Sequence, residues 1–183
     1  METESVWLNT DLGDLLLEVY VSRAPLSSDA FLRYVDAGRY NGATFCRTVR
    51  PDNDHGTAPT ALVQATVIDS VGLHPRVAHE PTAVTGIHHL DGTLSLARLE
   101  PGSASPAHFF ICIGEQPSLD FGGGRAADGQ GFAAFGRLIE GFELVRRIHR
   151  ARTLPDAPDP YMKDQMLAEP IVIRAARRKP ASF

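Results

Sequence analysis

Seven histidines and two cysteines are the side chains of this 183-residue chain best suited to ligate a metal or act as nucleophiles. His74, His79, His88 and His89 form the closest group, in an irregular stretch with two prolines, no cysteine and no helix to fix ligand geometry. They read as solvated or hydrogen-bonded side chains, and no metal site is expected. Cys46 and Cys112 lie far apart without CxxC spacing and read as small hydrophobes on strands. P-loop, G-x-S-x-G and H-E-x-x-H motifs are absent. Glycines 122, 123, 124, 129 and 131 do not follow a strand and open a helix, so they read as a flexible loop and not a phosphate cradle. No serine or cysteine sits in a recognisable activated setting. Any catalysis by this chain is therefore expected to use neither a cofactor nor a covalent nucleophile.

The elements that would position a site are mostly strands. Val6 to Thr10 and Leu15 to Val21 flank the turn Asp11-Leu12-Gly13, and Leu15, Leu17 and Val19 repeat with period two. After Pro25, Ser27 or Ser28 is expected to cap a helix carrying Ala30, Phe31, Tyr34 and Val35, with Gly38 as its stop. Further strands are predicted over 44–49, 61–71, 92–97, 108–113, 132–138 and 171–176. A second helix is predicted over 142–149, with Phe142, Val145 and Ile148 on its apolar face. Residues 50–60, 74–90 and 120–131 read as loops or irregular chain. About eight strands and two helices without regular alternation predict a mainly antiparallel closed sheet.

A hydrophobic fraction of 43% and a charged fraction of 22% fit an ordinary globular protein. One domain over 1–183 is expected, with its core over about 6–176 and short tails. A net charge of −4 gives no electrostatic reason to expect nucleic acid or an anionic membrane as partner. There is no apolar run of about 18 residues that could span a bilayer as a helix. The acidic start lacks the apolar core of a signal peptide, so a cytoplasmic location is the default expectation.

One arginine stands in a longer pattern. Gly38-Arg-Tyr40-Asn-Gly-Ala-Thr-Phe45-Cys-Arg47 has the form G-x-Y-x-x-x-x-F-x-R and resembles the stretch of cyclophilins that carries their catalytic arginine. The likeness continues in order: Ala24-Pro25 with Phe31, Gly92-Thr-Leu-Ser-Leu-Ala97, His108-Phe-Phe-Ile111, Leu119-Asp120, and Phe135-Gly-Arg-Leu-Ile-Glu-Gly141. It runs from about Val6 to Ala176. The resemblance implies a closed eight-stranded antiparallel β-barrel capped by two α-helices, and a peptidyl-prolyl cis/trans isomerase that assists protein folding. It makes Arg47 the catalytic residue and Gln64 the glutamine beside it. Phe110 becomes the floor of a proline pocket and Leu119 part of its wall. Ala97, Arg98 and Leu99 correspond to the stretch along the substrate backbone, and His108 stands where the family has glutamine. Without that pattern, Arg47 reads as a strand arginine in a surface ion pair.

The residue types suit the reaction. Amide resonance opposes prolyl rotation with a barrier of roughly 18–20 kcal/mol, and uncatalysed exchange takes tens to hundreds of seconds. An ordinary turnover requires roughly 4–7 kcal/mol less. A guanidinium can donate to the prolyl nitrogen as it becomes pyramidal, while an apolar cup holds the ring.

The chain also departs from the family. The interval between Arg47 and Gln64 is longer, filled by the loop 50–60, and Ala65-Thr66 follow Gln64 in place of two glycines. Ala61 stands where an aromatic is usual, Ser118 where many members have tryptophan, and Arg98 in place of asparagine. Phe132 falls near a position often held by histidine, where its ring could restore lost aromatic surface. Weak cyclosporin binding is expected from Ser118. The expected partners are proline-containing polypeptides, with the chain itself a monomer. The alternative is a non-catalytic module that only binds a proline-containing segment.

Overall fold

The computed structural model describes residues 2–68, 76–98 and 100–180. β1 (Glu4–Thr10) and β2 (Gly13–Val19) form a hairpin in which Glu4 faces Val19 and Thr10 faces Gly13. The Thr10 hydroxyl donates to the Gly13 carbonyl at 2.7 Å and accepts from the Leu12 N–H at 3.2 Å, which closes the turn.

Helix α1 (Pro25–Asp36) begins at the proline, whose fixed φ suits a first helical position. Ser27 and Ser28 were expected as its cap, but both are buried inside the first turn. Glu80 caps the helix from a distant segment instead: its carboxylate accepts from the N–H of Leu26 at 3.2 Å, the N–H of Ser27 at 2.7 Å and the Ser27 hydroxyl at 2.7 Å. An acidic group there opposes the positive end of the helix dipole. At the other end Gly38 takes φ +66 and donates to the Val35 carbonyl, as its expected role as a stop requires.

The remaining strands are β3 (Thr44–Val49), β4 (Leu62–Thr66), β5 (Val77–Ala78), β6 (Thr93–Ala97), β7 (Ser103–Cys112), β8 (Ala133–Glu140), β9 (Thr153–Leu154) and β10 (Met166–Arg178). The far end of the strand predicted over 61–71 falls partly outside the described residues. α2 (Thr82–Thr85) is a single turn within the stretch expected to be irregular, and α3 (Phe142–His149) coincides with the predicted second helix. The two-helix expectation therefore gains one short turn. β7 and β10 extend well beyond their predicted ranges.

Eight strands close on themselves in the order β1-β2-β8-β6-β7-β4-β3-β10, and β10 returns to β1, every pairing being antiparallel. The interior is filled by the inward residues of each strand and by α1. Phe31 stands at its aromatic centre, 5.0 Å from Tyr40 and Phe135 and 5.4 Å from Phe109 between ring centroids.

Strand periodicity decides which side chains leave this core. On β7, Phe109 and Ile111 point into the barrel, so Phe110 and Cys112 point to its outer face. On β3, Phe45 is inward, and a bulge between Phe45 and Arg47 leaves Cys46 as the extra residue. That bulge turns Arg47 outward, although it is two residues from Phe45.

Candidate active site

The bulge has a direct consequence for register. Arg47 on β3 faces Gln64 on β4, Gln64 faces Phe110 on β7, and Phe110 faces Ser95 on β6. One row across four strands thus places a cation, a carboxamide and an aromatic ring side by side. Outside the barrel, Val49, Leu62, Phe110, Cys112 and Leu119 form a second apolar cluster, with Phe132 packed on it. Phe110 and Phe132 meet edge to face at 5.7 Å. Leu119 is brought to this cluster by a 3-10 turn, Pro117–Leu119.

Arg47 and Gln64, together with the apolar Val49, Leu62, Phe110, Leu119 and Phe132, line a cleft of about 310 Å³, bounded also by Thr60, Ala97, Arg98, Arg125, Asp159, Tyr161 and Met162. The cleft is apolar below and cationic on one side. Arg47 is held there by two carboxamides: its Nη1 donates to Gln64 Oε1 at 3.0 Å, and its Nε and Nη2 both donate to Gln165 Oε1, at 2.9 and 2.7 Å. Three of the five N–H groups of the guanidinium are engaged by these two side chains, and the other two have no partner among the described residues. The Tyr161 ring lies 5.6 Å from the guanidinium carbon. Burial is the largest influence on Arg47 and lowers its pKa; Tyr161 acts in the opposite direction and Arg125 in the same one. An arginine starts so high that it stays charged.

Of the residues singled out in the sequence, Arg47, Gln64, Ala97, Arg98, Phe110, Leu119 and Phe132 share this cleft. Leu99 and His74 lie outside the described residues. His108 reaches Arg47 only through a relay, its Nδ1 lying 3.1 Å from the Thr66 hydroxyl, which accepts from Gln64 Nε2 at 3.4 Å. Burial lowers the His108 pKa. Arg98 does not present a free charge to the groove: it forms a bidentate ion pair with Asp128 and donates to the Gly131 carbonyl at 2.9 Å. The Asp128 carboxyl is held far below the usual range, chiefly by its bonds from Arg98.

The missing aromatic at Ala61 is not replaced in place. The Ala61 backbone is tied away from the cleft, its N–H donating to Gln116 Oε1 and its carbonyl accepting from Ile113. Leu62, Phe132 and Tyr161 supply the apolar surface instead. The Ser118 hydroxyl is turned to the loop 50–60, donating to the Pro59 carbonyl at 2.8 Å and lying 3.2 Å from the Thr60 hydroxyl.

Among the described histidines, His88 and His89 share one carboxylate. His88 and His89 both bond Asp120 through Nδ1, at 2.8 and 2.7 Å, and His89 Nε2 meets the Ser95 hydroxyl at 3.0 Å. Burial works against ionisation of Asp120, but the bonds from His89 and His88 prevail and hold its carboxyl at about 2. His89 stacks at 6.2 Å on Phe110, behind the floor of the cleft. Among the described residues no group of three or more His, Cys, Asp or Glu could hold a metal ion.

Sequence reasoning missed Gln165, Tyr161, Arg125 and the Asp54 that pairs with Arg125. Gln165 and Tyr161 lie between the second helix and the last predicted strand, where no periodic signal runs. Only the contact with Arg47, 118 residues away in sequence for Gln165, reveals them.

Comparison with known proteins agrees with this geometry. The family model for cyclophilin type peptidyl-prolyl cis-trans isomerases matches residues 5–177. The chain is 30% identical over 176 residues to peptidyl-prolyl cis-trans isomerase A of Dickeya dadantii, covering 94% of this chain and 83% of that protein. It is 26% identical over 151 residues to peptidyl-prolyl cis-trans isomerase B of Escherichia coli, covering 81% and 85%. A Cryptosporidium parvum cyclophilin type peptidyl-prolyl cis-trans isomerase superposes with a TM-score of 0.71 at 19% identity, over 99% of this chain and 100% of the other. A second structure of that protein, determined in the presence of the dipeptide Ala-Pro, gives 0.69 at 20% identity, over 97% and 99%. With the match spanning nearly the whole chain, the protein belongs to the cyclophilin-type peptidyl-prolyl cis-trans isomerase family.

Proposed function

We propose that the chain isomerises X-Pro bonds of polypeptide substrates, with Arg47 as the catalytic residue. The observation that carries this reading is the placement of Arg47 beside Phe110 in one cleft, with two N–H groups unengaged among the described residues. The proline ring sits in the cup made by Leu62, Phe110, Leu119 and Phe132, and the flanking backbone runs along Ala97 and Arg98. The ring is fixed while the preceding carbonyl swings. As the amide twists it loses resonance, and the prolyl nitrogen becomes an acceptor that it was not in the planar ground state. A guanidinium donor is thus stronger toward the twisted state than toward either planar isomer, which is what lowers a barrier. No bond breaks and no proton changes owner.

This arrangement favours catalysis over a purely binding role, because a binding module needs the apolar cup but not a cation beside it. Ser118, with its hydroxyl engaged by the loop 50–60, supports weak cyclosporin binding. The test is acceleration of a proline-limited refolding reaction by wild type and Arg47→Ala. Wild type at micromolar concentration should accelerate the slow phase, and Arg47→Ala should lose about a hundredfold in kcat/KM, the scale of one preorganised donor. Equal rates for the two would reject the role given to Arg47.

A further inference from the structure

We infer that Gln165 is a positioning residue, which aims the Arg47 guanidinium while leaving its charge uncompensated; this rests on the catalytic reading of Arg47 given above. Gln165 is fully buried. Its Oε1 accepts from two nitrogens of Arg47, and its Nε2 donates to the Asn53 carbonyl at 2.8 Å. Because a guanidinium only donates and a backbone carbonyl only accepts, this pair of neighbours permits one orientation of the carboxamide.

The carboxamide is in turn held by backbone. The Gln165 carbonyl accepts from the Thr48 N–H at 2.9 Å, next to Arg47 itself. Asn53 is buried and its side chain ties the end of β3 to the segment before β10: Nδ2 donates to the carbonyls of Thr48 at 3.2 Å and Asp164 at 2.9 Å, and Oδ1 accepts from the Arg50 N–H at 2.7 Å. Asp164, just before Gln165, is the one non-glycine residue with positive φ (+62) among the described residues. That left-handed conformation is uncommon without glycine, and here it sets the direction in which Gln165 enters β10.

The chemistry lies in what Gln165 is not. A carboxylate at this place would set an anion on the same two nitrogens and compensate the charge that the twisted amide needs, with its second oxygen against the Asn53 carbonyl. Gln64 is likewise neutral. Arg47 has no carboxylate partner among the described residues: Asp54 is paired to Arg125, and Asp159, which also lines the cleft, accepts from the Tyr161 N–H. Two amide dipoles therefore supply direction without compensation, which is preorganisation in the electrostatic sense.

The test compares Gln165→Glu with wild type and Arg47→Ala in prolyl isomerisation kinetics and thermal melting. Gln165→Glu should lower the melting temperature, because its second oxygen meets the Asn53 carbonyl, and, assayed well below that temperature, leave KM within about twofold while kcat falls about tenfold or more. A purely structural role would leave the kcat of the folded protein near wild type under those conditions. Wild-type kcat in folded Gln165→Glu overturns the proposal. Should Gln165→Glu fail to fold, Gln165→Met decides: kcat down about tenfold at unchanged KM supports it, and unchanged kcat overturns it. Full activity in Arg47→Ala would instead reject the underlying catalytic reading, and this inference with it.

Discussion

Arg125 Nη1 donates to Asp54 Oδ2 at 2.8 Å, with the two side chains only 5% and 7% exposed. The bond joins the loop 50–60 to the glycine-rich loop 120–131, so the two segments form one wall of the cleft. Arg125 also donates to the Ala58 carbonyl at 2.7 Å and lies 5.7 Å from the Tyr161 ring. Gly56 permits this packing: a Cβ there would come within 2.0 Å of the Arg125 guanidinium. The longer loop is thus an anchored part of the site.

Removing one partner of that pair strands a buried charge. Asp54→Ala should destabilise by about 3–5 kcal/mol, and the double variant Asp54→Leu/Arg125→Met should lose less than Asp54→Ala alone. Denaturant unfolding of the three proteins measures both. A loss under about 1 kcal/mol in Asp54→Ala would mean that solvent reaches the pair.

Arg47→Lys keeps the charge and discards the fork. A single ammonium cannot offer separate, rigidly spaced donors to Gln64, Gln165 and substrate. Its kcat/KM is expected to fall by about 30-fold or more with the fold intact by circular dichroism. Near wild-type activity would show that charge alone suffices.

Tyr161 shields the outer side of Arg47. Tyr161→Phe retains the ring face and should stay within about twofold of wild type, whereas Tyr161→Ala should lower kcat/KM by about 2- to 5-fold, the value of an exposed cation–π contact. Equal losses in both variants would assign the effect to the hydroxyl.

Acid should destabilise the protein in two stages. Burial lowers the pKa of His79, His108 and His149. Arg98, Asp128 and Glu80 act on His79, and Arg50, Arg150 and Asp52 on His149, as smaller influences. With folded values below the unfolded one of about 6.5, the unfolded chain takes up protons first, so stability falls as pH drops below about 6.5. Asp120, at about 2 when folded against an ordinary 3.8, contributes stability that is lost as pH falls through that interval, and Asp128 acts with the same sign. Urea midpoints at pH 7.5, 5.5 and 3.5 should decrease in that order. A flat profile from 7.5 to 5.5 would show that the imidazoles titrate normally.

The strands were legible because period-two alternation and turn residues are local signals, as at Leu15, Leu17 and Val19, whereas their closure into an eight-stranded barrel followed from the resemblance to cyclophilins. Helix α3 was legible from Phe142, Val145 and Ile148 for the same reason. The cap of α1 was not, because Glu80 comes from more than fifty residues away and displaces the local serines. The same limit hid Gln165: nothing adjacent to it in sequence says that it meets Arg47. Phe110 was recognisable only by its place in a motif, since Phe109 beside it is an ordinary core residue and only the face of β7 separates their roles. The fate of Arg98 was also invisible, because its partner Asp128 sits in a loop read as flexible.

The closed order of the strands bears on how such a protein survives its own trade. Chains awaiting prolyl isomerisation are partly unfolded, with backbone amides and carbonyls free to pair. An open sheet would offer them a template along its border. Here the eight main strands satisfy one another all the way round, and the short flanking strands β5 and β9 are two residues each. Among the described residues the barrel thus leaves few unpaired strand groups for an unfolded chain to extend, which disfavours its incorporation into an aggregate by edge pairing.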